Sequence, residues 1–311
     1  IIIVNYIMYN EFNASKTIGF IVFYAAILLF PTNIFIQYKK HILITYLLVN
    51  SAAVAMYYKN PQLLHRLFSD RTPVVAQSLL FTRSLQLAYP EPSYAAKYAV
   101  GLAVIYVMLN NRMSKTSTIL LLCSLATCSA TGVVAFSVVI MAYFPILSAL
   151  IVLPLFLLTT ISNSIFEYVG NMFPGRMGWI ISELQYCSFS QAYQIVSSTD
   201  ESFLQRSYWF TTQLNRFRQS PILGRPLDDQ NCGLVLLLAG FGVVGLMFLF
   251  YTVAKILSKK AWSYNTKCIV LSYMALIFMA DSIYLPTVAA ILSIVLSGIN
   301  LDKHQKTIGK E

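Results

Sequence analysis

The sequence predicts an all-α polytopic membrane protein, and three observations carry that prediction. Of the 311 residues, 57% are hydrophobic and 11% are charged, less than half the share of about 25% that a water-facing surface uses. Mean hydropathy is +0.65. The apolar residues fall in long unbroken runs, not in the alternation of a membrane β-barrel. The same composition excludes disorder, and the chain's size together with five scattered cysteines (Cys123, Cys128, Cys187, Cys232 and Cys268) excludes a small disulfide scaffold. With no C-x-x-C pair, those cysteines offer no zinc framework. A formal net charge of +10 would point to nucleic acid in a soluble protein. Cytoplasmic loops collect Lys and Arg, so here the membrane accounts for the charge and no nucleic-acid partner is expected.

The elements follow in order, as a single integral membrane domain over 1–311. Residues 1–9 are apolar but short of the roughly 20 that a crossing needs, so they are expected to be the tail of a first helix. Residues 18–37 are long enough to cross and lead into Lys39, Lys40 and His41, read as a basic turn, after which 42–58 cross back. A polar segment, 59–93, precedes the next apolar stretch, 94–109, which ends at Arg112 and Lys115. The uncharged run 118–162 is too long for one helix. Helix breaks are expected near Ser129-Ala130-Thr131-Gly132 and near Tyr143-Phe144-Pro145, where small residues and proline interrupt. Helix 231–254 and two helices around Asp281 to Pro286 complete about ten spans.

Charge sets the sides. The turns at 39–41, 112–115 and 255–267 and the tail Lys303, His304, Lys306 are the basic ones, and all four are placed inside. Helix 231–254 then starts outside, so an odd number of crossings, three by expectation, joins Lys115 to Asn231. This arithmetic puts the segments 59–93 and 163–230 on one outer face. Each carries arginines that the topology rule makes rare there: Arg66, Arg71 and Arg83 in the first, and Arg176, Arg206, Arg216, Arg218 and Arg225 in the second. An external anionic ligand compensates them most simply, because guanidinium forks match phosphate oxygens bidentately. The competing explanation is that they reach lipid headgroups or pair with Glu167, Glu183, Asp200, Glu201, Asp228 and Asp229.

Two stretches concentrate chemistry. An amphipathic helix is expected over about 203–219, bearing Arg206, Arg216 and Arg218, with Leu204, Trp209, Leu214 and Phe217 toward lipid or protein. The tight turn Pro221-Ile222-Leu223-Gly224 follows, then Asp228-Asp229-Gln230-Asn231 at the mouth of a span. Carboxylates there either cap the helix or serve the site. In the first outer segment, Pro90 and Pro92 flank Glu91 and fix its backbone at the membrane edge. Capping the helix that starts near Ser93 is its alternative role.

At this point the chain resembles the bacterial O-antigen polymerases. The resemblance rests on Arg83 leading to Glu91-Pro92-Ser93 and a short span ending at Ser129, Thr131 and Gly132. It continues with the large outer loop bearing Arg206 and an aromatic helix, the Pro221-x-x-Gly224 turn, the polar helix mouth at Asp229 to Asn231, and the glycines Gly240, Gly242 and Gly245. It covers roughly 65–300. Each motif alone is weak, and their order and topology carry the likeness.

The resemblance implies a GT-C-like, lipid-linked-sugar glycosyltransferase architecture in the bacterial inner membrane, with its site facing the periplasm. Such an enzyme joins oligosaccharide repeat units carried on undecaprenyl diphosphate, both as donor and as acceptor, into O-antigen or a related surface polysaccharide. That chemistry needs cations for the leaving diphosphate, a base for the attacking hydroxyl, and a groove for the polyprenyl tail. Arg83, Arg206 and Arg216 are the expected diphosphate ligands, with Arg71 and Arg218 in reserve. Glu91 and Asp229 are the expected catalytic carboxylates. Arginines nearby lower a carboxylate's pKa, so orienting the hydroxyl matters more than abstracting its proton. No cofactor and no metal are expected, membrane lipid is a partner, and the family implies a polysaccharide chain-length regulator.

Two alternatives stay open. O-antigen ligases, which transfer finished glycan to lipid A-core, share the architecture, but they commonly place a histidine at the helix mouth that here reads Asp228-Asp229-Gln230-Asn231. Of His41, His65 and His304, only His65 falls outside by this topology. A transporter or flippase for an anionic substrate is the reading from another class. No internal repeat supports it, and Asp281, the one acid in a late apolar run, reads as part of a local turn.

Overall fold

The computed structural model describes residue 25 and residues 32–60, 92–127, 130–144, 201–225, 233–279 and 286–296. Every regular element among these residues is an α-helix, and none is a strand. Helix α1 is Thr32–Lys59. It runs unbroken through Lys39, Lys40 and His41, so the basic turn expected there is helix interior. The physical reason is plain. Charge does not break a helix, and the stretch Tyr38-Lys39-Lys40-His41 holds no proline and no glycine. The side assignment therefore loses its first anchor.

Helix α2, Pro92–Asn110, opens on proline at the first helical position, where a missing N–H costs nothing. Ala95, Ala96, Ala99, Val100, Val104, Ile105 and Met108 are fully buried. A helix that is apolar all round is a helix covered all round. Helix α3, Lys115–Ala126, begins with a reciprocal cap: Ser117 N donates to Ser114 Oγ at 3.2 Å and Ser114 N donates to Ser117 Oγ at 3.2 Å. It closes at Thr127, whose Oγ1 donates to the Ser124 carbonyl at 2.7 Å. Helix α4, Ala130–Tyr143, starts and stops where the two breaks in the uncharged run were expected. A Cβ at Gly132 would lie 2.6 Å from the Ser124 carbonyl oxygen and 3.0 Å from Ala96 Cβ, so only glycine lets α4 approach this closely.

The remaining helices are α5, Glu201–Gln219; α6, Gly233–Ser258; α7, Tyr264–Met279; and α8, Pro286–Leu296. One stretch among the described residues, Leu237–Ser258, is long and apolar enough to cross a membrane; Lys115–Leu125, Gly132–Tyr143 and Thr287–Leu296 are apolar but shorter.

The chain forms two compact units. One takes the described residues of 37–103 and 114–201, and the other takes residue 25, residues 32–36 and 104–113, and the described residues of 202–296. In the second unit, basic turns meet. Asn111 adopts φ 50°, a left-handed conformation that asparagine tolerates. Its Oδ1 accepts from Ser263 N at 2.7 Å and from Thr266 Oγ1 at 2.9 Å. Lys259 Nζ donates to the Ile294 carbonyl at 3.4 Å, a cation at the C-terminal end of α8. The turns around Arg112 and around Lys259 thus share one end of this unit with the last turn of α8. Burial, and then the nearby Lys255 ammonium, hold Lys259 below the ordinary lysine range.

Candidate functional site

The site is built on α5, the turn after it, and α6. Helix α5 contains neither glycine nor proline and is amphipathic. Tyr208, Phe210, Thr211, Asn215 and Arg218 are exposed, Leu214, Arg216 and Phe217 are half-buried, and Gln213 is buried. Arg216 and Arg218 occupy the last turn, where cations complement the helix dipole. Pro221 stops the helix because it has no N–H to continue the ladder. Ser220 N closes on the Arg216 and Phe217 carbonyls, both at 3.2 Å, and Gly224 N then donates to the Ser220 carbonyl at 3.0 Å. Gly224 makes the reversal at φ 73°, a conformation that favours glycine.

Helix α6 is broken. Gly242 has φ 57° and ψ −141°, which a helix cannot contain and which residues with a Cβ rarely adopt. A break of this kind strands backbone donors and acceptors that need partners. The turn supplies them. Val243 N donates to the Pro221 carbonyl at 2.8 Å, and Arg225 N donates to the Ala239 carbonyl at 2.6 Å. The fit is tight from both directions: a Cβ on Gly224 would lie 2.4 Å from the Gly240 carbonyl carbon, and one on Gly242 would lie 2.5 Å from the Pro221 and Ile222 carbonyl oxygens. Two glycine motifs therefore interlock through backbone alone.

Arg225, the residue after the turn, is pinned beside Ala239, two residues after the start of the apolar stretch Leu237–Ser258. Its side chain is half-buried, and its guanidinium Nε is shielded from solvent.

The expected site residues are distributed as follows. Arg206 lies on α5, whose last turn carries Arg216 and Arg218. Arg71, Arg83, Glu91 and Asp229 lie outside the described residues. Arg225 stood among the outer-face arginines but was not singled out. Its signal was adjacency to the glycine of the Pro221-x-x-Gly224 turn. A second cation was missed in the first unit. Lys97 on α2 is only 3% exposed, with its ammonium 5.2 Å from the Tyr94 ring centroid, a favourable face-on contact for a cation. A charge inside an apolar stretch is a functional signal in its own right.

Arg216 and Arg218 close α5 and Arg225 follows the turn, so three guanidinium groups, a type suited to phosphate, lie within ten residues of chain. Comparison with family models, curated proteins and solved structures finds no match to this chain.

Proposed function

We propose that the chain is a multi-pass inner-membrane glycosyltransferase that polymerises undecaprenyl-diphosphate-linked oligosaccharide units at the periplasmic face. One observation carries the reading. The Pro221-x-x-Gly224 turn and the glycine-punctuated helix, two motifs of the resemblance, lock together through Val243 N to Pro221 O and Arg225 N to Ala239 O. That lock anchors the arginine-bearing end of α5 to α6, which holds the one stretch among the described residues long and apolar enough to cross a membrane. The further crossings needed for a multi-pass chain belong to this proposal.

In the proposed reaction the hydroxyl oxygen of the acceptor sugar attacks the anomeric carbon of the donor. A new C–O bond forms, the bond to the lipid diphosphate breaks, and the diphosphate leaves with the electron pair. Arg83, Arg206 and Arg216, with Arg71 and Arg218 behind them, neutralise that leaving group, which is the charge that develops in the transition state. Glu91 and Asp229 orient the hydroxyl and receive its proton. Guanidinium groups supply the neutralisation, so the reading is metal-independent.

The test is elongation by purified protein in liposomes supplied with undecaprenyl-diphosphate-linked repeat units. Arg206→Ala and Arg83→Ala should abolish elongation while leaving protein level and insertion intact, and Arg112→Ala should be nearly silent. Equal and mild effects from all three would return the arginines to headgroup contact. Labelling of a Ser198→Cys variant from the cytoplasmic side alone would invert the proposed face.

A second reading is favoured by the break in α6. Interrupted helices whose half-ends meet ions and anionic substrates are a feature of transporters. Gradient-dependent uptake without glycan lengthening would move the assignment to an anion transporter.

A further inference from the structure

We propose that the turn between α6 and α7 binds the headgroup of an anionic phospholipid carrying more than one phosphate, with an acyl chain laid along the end of α6. Lys255, Lys259, Lys260 and Lys267 stand within 13 residues of chain, where the apolar stretch Leu237–Ser258 ends and α7 begins. The turn is held in place. Asn111 Oδ1 accepts from Ser263 N and Thr266 Oγ1, and Lys267 Nζ donates to the Leu257 carbonyl at 2.8 Å. Among the described residues of the unit that holds α6, α7 and α8 there is no Asp or Glu. Lys267 and Lys255 lean on uncharged groups, the Leu257 carbonyl and the face of Tyr251, whose centroid is 5.3 Å from the Lys255 ammonium. Lys260 is exposed. Burial, and then Lys255, hold the Lys259 ammonium below its ordinary range, so like charges crowd here and a bound anion relieves them. Ammonium groups take phosphate as point charges, and several of them at a membrane surface favour a headgroup with several negative charges.

The neighbouring apolar residues decide between a lipid and a free anion. Phe250, Val253 and Leu257 are exposed, at the i, i+3, i+7 spacing of one helix face. Leu257, at the end of this face, is the residue whose carbonyl Lys267 reaches. Tyr264, at the start of α7, is exposed as well, an aromatic of the kind that sits at headgroup level. A headgroup at the lysines with a chain along this face is a single amphiphile, whereas soluble phosphate would leave the apolar face uncovered. Such a site needs α6 in a bilayer but no glycan chemistry, so it goes beyond the functional reading and survives that reading's failure.

The experiment places the full chain in phosphatidylcholine nanodiscs doped with cardiolipin, which has two phosphates, or with phosphatidylglycerol, which has one, and counts retained lipid by native mass spectrometry during titration. Wild type should retain cardiolipin at least tenfold more tightly than phosphatidylglycerol. Lys255→Gln with Lys260→Gln should weaken that retention about 30-fold, at about fivefold per lysine, and Lys255→Arg with Lys260→Arg, which keeps the charge, should retain it. Lys40→Gln with Lys115→Gln removes the same charge from exposed positions in the other unit and should leave retention unchanged. Should the Lys255 and Lys260 glutamine pair lose amide protection in α6 and α7, Lys260→Gln alone, at its exposed position, decides by its fivefold effect. Equal weakening by the Lys40 and Lys115 pair would mean diffuse attraction by net charge. Equal retention of phosphatidylglycerol would remove the preference for two phosphates, and displacement of cardiolipin by equimolar inorganic pyrophosphate would make the turn a free-anion site. Any of these three results overturns the proposal, and none bears on elongation, which is read separately in liposomes.

Discussion

Adding one methyl group at Gly242 should unlock the turn from α6. A Cβ there would sit 2.5 Å from two carbonyl oxygens of the turn, at φ 57° and ψ −141°. Holding a non-glycine residue in such a conformation costs about 1–3 kcal/mol. Escape by withdrawal of the turn surrenders the Val243 to Pro221 and Arg225 to Ala239 hydrogen bonds, each worth about 0.5–1.5 kcal/mol. The variant takes the cheaper of the two, so opening is easier by roughly 1–3 kcal/mol. At 1.4 kcal/mol per factor of ten, amide protection at residues 225 and 243 should fall by about 5-fold to about 150-fold in Gly242→Ala. Hydrogen exchange in nanodiscs reads this directly, with Val253→Ala, at an exposed position on the same helix, as the control. Gly224→Ala attacks the same lock from the other side, so the double variant should lose much less than the sum of the two. Wild-type protection at both amides in Gly242→Ala would refute the interlock, and strict additivity would refute the claim that the two glycines serve one contact.

Other consequences follow from the end where the basic turns meet. Asn111→Gly tolerates the backbone at φ 50° but removes the acceptor shared by Ser263 and Thr266, so it should lower stability by about 1–3 kcal/mol. Asn111→Ala adds backbone strain and should cost more, and equal Tm values for wild type and the glycine variant in detergent would count against the bridge. Lys259 has a lowered pKa in the folded chain, so the unfolded chain binds more protons through the window between the folded value and the ordinary lysine value. Stability should therefore rise with pH through that alkaline window, and Lys259→Met should flatten the rise. A slope unchanged by the substitution would show that this ammonium does not contribute to it.

How much was legible in the sequence differs by element. Capping and breaking signals are local, so the amphipathic helix expected over 203–219 is observed as Glu201–Gln219, and the breaks expected near 129–132 and after Tyr143 fall at the ends of α3 and α4. The turn at 39–41 failed for an equally local reason. Charge was taken as punctuation where no residue breaks the helix. Among the expected site residues, Arg206, Arg216 and Arg218 share one helix because they are near in sequence. Arg225 passed unweighted because its importance lies in what its backbone touches.

By itself the sequence determined that the chain is helical and apolar, since composition and unbroken hydrophobic runs act residue by residue, and that guanidinium groups cluster between 206 and 225. Only the tertiary structure decided that α6 is interrupted at Gly242 and that the turn of 221–224 fills the interruption. The physical reason is that a glycine signals permission for an unusual backbone without requiring one. What makes the break stable is a partner elsewhere in the chain whose carbonyl and N–H meet the groups it strands, and no local pattern encodes that meeting.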